Sequence, residues 1–587
     1  MSYARQLMGM PNPFFMLLAS LLSAARARGL PYRIAFFFLA GTFVAACSGS
    51  TGRSAGISDP HVRPPTRALT EAHLESPTSP LSENQQILHA LNRLGYGPRP
   101  GDVARVQQMS LATWITQQLH PETIPDEVVV PLLRGYPTLD KSTADLLQKF
   151  PNNPQPKPVE LKIGPIQSQM FPEVPPERRP FRIVQELQAA RIVRAVMSER
   201  QLQEVMVDFW LNHFNVYAHK DLVKWMLPAY EREAIRPRAL GRFKDLLLST
   251  ARHPAMLFYL DNWLSASSGP GKTGQNSGLN ENYARELMEL HTLGVDGGYT
   301  EQDVREVARC FTGWTIDRPR ELGQYVFRLG QHDRGEKRVL GSMIPAGGGE
   351  VDGLRVLDLL ARHPSTAQFI ATKLARRFVR DDPPSAVVER AAKVFRETDG
   401  DIRATLEAIV TSPDFFSAEA YRAKIKTPLE YVVSAVRVLG GQVSVSGTAS
   451  DGAFQLTRTI ASLGQPLYEA QPPTGYPDMA KAWVNSSALL RRMTFALSLV
   501  PNRVPGVWVN LPQLLSSVDR RRSDEVLNRL LSAVLSDEVT PATQSILVHL
   551  LNDPKINHAM EDDQGLVNTD AETLAALVVG SPEFQRR

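Results

Sequence analysis

The chain has 587 residues, two cysteines and a formal net charge of +4. That length exceeds one small core and implies several packed layers or subdomains. Arg5, Arg26, Arg28 and Arg33 are the only charged side chains before residue 47 and account for the whole excess. The remainder is near neutral, so no nucleic-acid partner is expected from the overall field.

The first ordered signal is a targeting one. "RIAFFFLAGTFVAAC" runs from a basic residue through a short apolar stretch to small residues and Cys47. This is the pattern of a lipoprotein signal peptide over 1–46, ending in a lipobox, Val44–Cys47. The apolar run is shorter than the roughly 20 residues that a membrane span needs. The expectation is therefore lipidation at Cys47 and attachment to the bacterial envelope through that lipid. Ser48 in the next position favours the outer membrane. Residues 47–81 are rich in Ser, Pro, Gly and Thr and read as a flexible tether.

A helical domain is expected over 82–587. It opens at "SENQQILHALNRLGYGP", where Ser82 and Gln85 have capping-box spacing and Gly95 can stop the helix. A proline-rich insert over 151–180 cannot be regular helix. Helical periodicity then runs from about 182 almost to the end. The exception is "QYVFRLGQHDRGEKRVLG" (324–341), which reads as a small β-hairpin or two short strands. Residues 354–378, 384–397 and 403–411 read as helices, and 441–452 as a polar loop. "TLEAIVTSPDF" (405–415) is echoed by "TLAALVVGSPEF" (573–584), which suggests a repeated device for ending a helix. The fold class expected is mainly α. Cys310 lies on a helical apolar pattern and is expected to be buried and inert.

"ASSGPGKT" (266–273) fits the phosphate-loop pattern, but its flanks do not. A phosphate loop needs a strand before it and a helix starting at its Lys-Thr pair. Here a helical pattern precedes it, and the next helix cannot start before about Asn280. No nucleotide cofactor is expected.

Four stretches are rich in polar groups, and the one at 203–220 carries more of them than packing requires. In "NENYARELMELHTLGVDGGYTEQDVREVARCFTGW" (280–314), Asn280 is a good N-cap, Thr300 and Asp303 have capping-box spacing, and Gly294 and Gly313 can stop helices. Asn282, Glu286 and Glu289 share one face of a helix over 281–293, with His291 opposite. In "QEVMVDFWLNHFNVYAHK" (203–220), taken as one helix over 203–219, His213 lies on an aromatic face with Met206, Trp210 and Tyr217. Asp208, Asn212, Asn215 and His219 form a separate polar stripe. Asp261 and Asn262 end "HPAMLFYLDN", and His332 and Asp333 occupy the turn of the expected hairpin. The plain alternatives are a solvated acidic helix face, a core histidine and a turn aspartate.

These segments, with "HALNRLGYGPRPGDV" (89–103), "HPSTAQFIATKLARRFV" (363–379) and "LGQPLYEAQPPTGYPDMAKAWVN" (463–485), resemble the bacterial domain-of-unknown-function 1800 family (DUF 1800) from about residue 82 onward. The resemblance implies an exported protein, often encoded beside DUF 1501 proteins, which look sulfatase-like, so a DUF 1501-type partner is an expectation. It implies no reaction and carries over no catalytic residue. Two function classes stay open. One is a binding or assembly lipoprotein. The other is a hydrolase with Glu286, His213 and Asp261 as candidate catalytic groups and Glu289, His332 and Asp333 as candidate ligands of a divalent metal. In the hydrolase case the inward Glu286 carboxylate should be mostly buried, within reach of an Arg or His from another segment.

Overall fold

The computed structural model describes residues 81–151, 178–267, 278–520, 522–552 and 571–587. The signal segment, Cys47, nearly all of the tether, most of the proline-rich insert and residues 268–273 of the phosphate-loop-like stretch lie outside the described residues.

The described chain is a mainly α assembly with three small two-stranded antiparallel sheets. The Phe181–Met197 helix lies at its centre. It is buried along most of its length, polar residues included, and packs against the Val223–Ala229, Pro428–Val438 and Gly452–Ser462 helices. The same holds for Pro428–Val438, every residue of which is buried. Among the described residues no helix is long and apolar enough to cross a membrane.

Local signals set most of the helix ends. Ser82 with Gln85, and Thr300 with Asp303, both form complete capping boxes. Asn280 Oδ1 accepts from the Asn282 backbone N–H at 2.9 Å. Gly294 and Gly313 adopt φ of 82° and 79°, the left-handed conformation that stops a helix. The echoed segments share one device: Ser412 and Ser581 accept from the backbone N–H of Phe415 and Phe584, and all four residues are buried. A second repeat, Ala-Arg-His-Pro, occurs at 251–254 and 361–364. In each, the histidine Nδ1 caps the helix that its proline begins. This second copy splits the helix expected over 354–378 into Glu350–Ala361 and Pro364–Phe378.

Three further expectations change. The helix expected over 203–219 ends at His213. The carbonyl of Phe214, the residue that follows, takes a tertiary partner, Tyr230 Oη donating to it at 2.8 Å. The helix expected over 281–293 is α only across Asn282–Glu286 and becomes a π turn over Leu287–Thr292. The strands of 324–341 do not pair with each other. Gln324–Phe327 pairs back with Trp314–Asp317, and Lys337–Val339 pairs forward with Ser342–Ile344. The forward turn has positive φ at Leu340 and Gly341, 48° and 78°, which suits a tight hairpin. His332 and Asp333 therefore lie between two hairpins rather than at the tip of one.

The flanks of the phosphate-loop-like stretch are helical, with Pro254–Tyr259 and a turn at Asn262–Leu264 before it and the next helix starting at Asn282. Cys310 is fully buried, and burial pushes its thiol up to about 12.

Candidate functional site

A cavity of about 280 Å³ opens between three helices and one irregular strap. The Gln201–His213 helix supplies Asp208, Asn212 and His213, and the Pro364–Phe378 helix supplies Lys373, Arg376 and Arg377. Arg191 comes from the central helix, and Tyr476, Asp478 and Trp483 come from the strap over 465–483.

The polar stripe read on "DFWLNHFNV" is what holds the strap. Asn212 Nδ2 donates to the Tyr476 carbonyl at 2.8 Å, and its Oδ1 accepts from the Tyr476 N–H at 2.7 Å. The side chain thus imitates a backbone pairing partner. Asn215 Nδ2 donates to the carbonyls of Ala470 and Pro472, both at 2.9 Å. Gln188 Nε2 donates to the Leu467 carbonyl at 2.9 Å, and Tyr259 Oη to that of Gln471 at 2.7 Å. A proline-rich strap cannot satisfy its own carbonyls in regular structure, so side chains from four places do so. Gly475 is required there: its φ is 68°, and a Cβ would lie 2.4 Å from the Asn212 carbonyl oxygen.

Beneath the strap is a buried ionic network. Asp208 contacts Arg191 and lies 3.6 Å from Arg377. Arg377 pairs with Glu430 at 2.6 Å, and Arg587 reaches the same carboxylate at 3.0 Å. Burial alone would raise the Glu430 pKa, but Arg377 and then Arg587 outweigh it and hold the carboxyl at about 2. Asp478 pairs with Lys424 at 3.2 Å.

Two cations in the wall have no carboxylate partner among the described residues. Arg376 donates from Nε to the Asp381 carbonyl at 3.0 Å. Lys373 Nζ lies 2.9 Å from His213 Nδ1. His213 Nε2 lies 3.1 Å from the His291 carbonyl oxygen. A carbonyl only accepts, so the imidazole proton is on Nε2 and the Nδ1 lone pair faces Lys373. Burial, then Lys373, holds His213 well below the usual histidine range, so the ring is neutral. Burial also lowers Lys373 to about 8, with Arg376 adding to the effect and Asp478 opposing it.

The sequence-derived candidates do not converge. His213 belongs to this cavity. Asp261 instead pairs with Lys220 at 2.8 Å, from a left-handed backbone position with φ of 61°. Glu286 is half-buried rather than mostly buried, and among the described residues it makes no ion pair or hydrogen bond. Burial and then Glu289 raise its pKa. Arg285 turns away to Glu301, with two contacts at 2.8 and 2.7 Å. Glu289 is 3.5 Å from Tyr299 Oη. His332 is enclosed, its Nε2 3.1 Å from Asp352, which also takes Lys337 at 2.7 Å. Asp333 is paired with Arg309 at 2.9 and 3.0 Å. Among the described residues no three His, Cys, Asp or Glu side chains are grouped to hold a metal ion. The set of Glu289, His332 and Asp333 is therefore not assembled in the described structure, where each already serves a separate local contact.

Sequence reasoning missed Lys373, Arg376, Arg377 and Arg191. The signal was present: basic residues at i, i+3 and i+4 on a helix otherwise apolar enough to be buried. No curated protein and no solved structure matches the chain. A family model described as a protein of unknown function does match, across residues 89–586, a span that includes every wall of the cavity. The chain belongs to the DUF1800 family.

Proposed function

We propose that this protein is a binding lipoprotein of the bacterial envelope, anchored through a lipid on Cys47, and that its cavity takes a small anionic ligand. The observation that carries the ligand class is the pair of wall cations, Lys373 and Arg376, which have no carboxylate within ion-pair distance among the described residues. Charges placed in a partly dry cavity are costly unless something compensates them, and a bound anion would. The volume suits a small molecule rather than a polymer. The anchor reading rests on the lipobox pattern, whose Ser48 favours the outer membrane. An assembly role with a DUF 1501-type protein is compatible with this reading and rests on the family resemblance.

The test is calorimetric titration of the purified chain with sulfate, phosphate and succinate at low salt. Binding that weakens about tenfold in Arg376→Ala is expected, since one charge-assisted contact is worth about 1.5 kcal/mol. No binding of any of the three at millimolar concentration would overturn the reading.

The hydrolase reading keeps one observation in its favour. Glu286 is a half-buried carboxyl with a raised pKa and no partner among the described residues, as a general acid would be. Hydrolysis of ester or phosphoester substrates that disappears in Glu286→Gln would favour it over simple binding.

A further inference from the structure

We propose that Lys373 is an amine nucleophile that condenses with a small aldehyde or 2-oxo carboxylate held in the cavity, forming an imine. This deepens the anion-binding reading and rests on it. Three features of the geometry point to the lysine. It lies in the wall of an open cavity rather than in a closed core. Among the described residues no carboxylate is within ion-pair distance to keep it as ammonium, and its Nζ faces the lone pair of a neutral imidazole at 2.9 Å. Arg376, one turn further along the same helix, disfavours a second positive charge beside it. Burial and a neighbouring cation are the two means by which a lysine is made nucleophilic near neutral pH.

The remaining groups fit a carbonyl acid. Among the described residues Arg376 is engaged through its Nε alone, which leaves its terminal guanidinium N–H groups for a carboxylate. His213 is locked by the His291 carbonyl and fixes the direction of Nζ. The cavity holds on the order of nine waters' share of liquid volume, enough for an acid of a few carbons.

The step balances without a redox partner. The ammonium first releases a proton to water. The Nζ lone pair attacks the carbonyl carbon, the C=O π electrons move to oxygen, and a proton passes from the now cationic nitrogen to that oxygen to give a neutral carbinolamine. The hydroxyl then leaves as water with a second proton, and the nitrogen lone pair forms the C=N bond. The product is a protonated imine whose carboxylate faces Arg376.

The experiment uses the full chain in detergent, with sodium pyruvate and sodium glyoxylate as probes. Sodium borohydride reduces any imine to a stable amine, and peptide mass mapping locates it. The expected result is a single dominant adduct on Lys373. A lysine at about 8 has about three hundredfold more free amine at pH 7 than an ordinary one, offset by its lower basicity. The net expectation is labelling about tenfold faster than at any other lysine. Lys373→Arg, which keeps a cation but offers no free amine, should lose the adduct. His213→Asn, which can accept from Lys373 but is not an imidazole, should keep the adduct with a shifted pH profile. Labelling spread evenly over the lysines overturns the proposal. So does an unlabelled Lys373 in a protein that still binds sulfate and pyruvate, which leaves the binding reading intact. A wild type that neither binds these anions nor forms an adduct overturns both.

Discussion

Glu430→Gln is the perturbation that probes the frame of the cavity most directly. Glu430 is 3 % exposed and lies between two buried guanidinium groups, Arg377 and Arg587, at 2.6 and 3.0 Å. Its second oxygen closes a capping box, accepting from the Thr427 N–H at 2.9 Å. Glutamine keeps the volume and can still serve that box, so the change removes the charge with little else. Depression of the carboxyl from 4.5 to about 2 corresponds, at about 1.4 kcal/mol per pH unit, to about 3 kcal/mol. Breaking a buried ion pair by removing one partner costs a similar amount, about 3–5 kcal/mol. The folded value is below the unfolded one. The contribution is therefore complete above about pH 4.5 and is lost as pH falls toward 2. Urea denaturation of wild type and variant at pH 7 should differ by about 3 kcal/mol, and the difference should shrink steadily between pH 4.5 and 2. A difference under about 1 kcal/mol at pH 7, or one independent of pH, would refute the argument that these arginines depend on Glu430.

Gly475→Ala should destabilise the strap by about 2 kcal/mol or more, because a Cβ is both strained at this φ and pressed on the Asn212 backbone; faster hydrogen exchange confined to 465–483 is the readout. Anion affinity should fall as pH rises through about 8, because Lys373 then loses the charge that attracts the ligand; a titration series across pH 6–9 with no such fall contradicts that role. Cys47→Ala should leave the signal segment uncleaved at that site and the protein without lipid; normal membrane partition and processing of this variant would end the lipoprotein reading.

The ends of elements were largely legible in the sequence. Ser82 with Gln85, Thr300 with Asp303, Gly294, Gly313 and the paired Ser-Pro-x-Phe ends act through backbone groups a few residues away, so the residues that satisfy them are printed beside them. The polar excess of 203–220 was legible too, but not its purpose. Asn212 and Asn215 serve a strap more than 250 positions later, and nothing local says so. The acidic face of 282–289 misled because 3.6-residue spacing was carried through a π turn, and because periodicity cannot distinguish a half-buried carboxyl from a buried one. Lys373 and His213 are 160 residues apart, and only packing brings them together. The pKa of that lysine is a property of the fold in the same sense. Its sequence neighbours supply one repelling arginine, while the burial and the opposing pull of Asp478 come from how the helices and the strap close around the cavity.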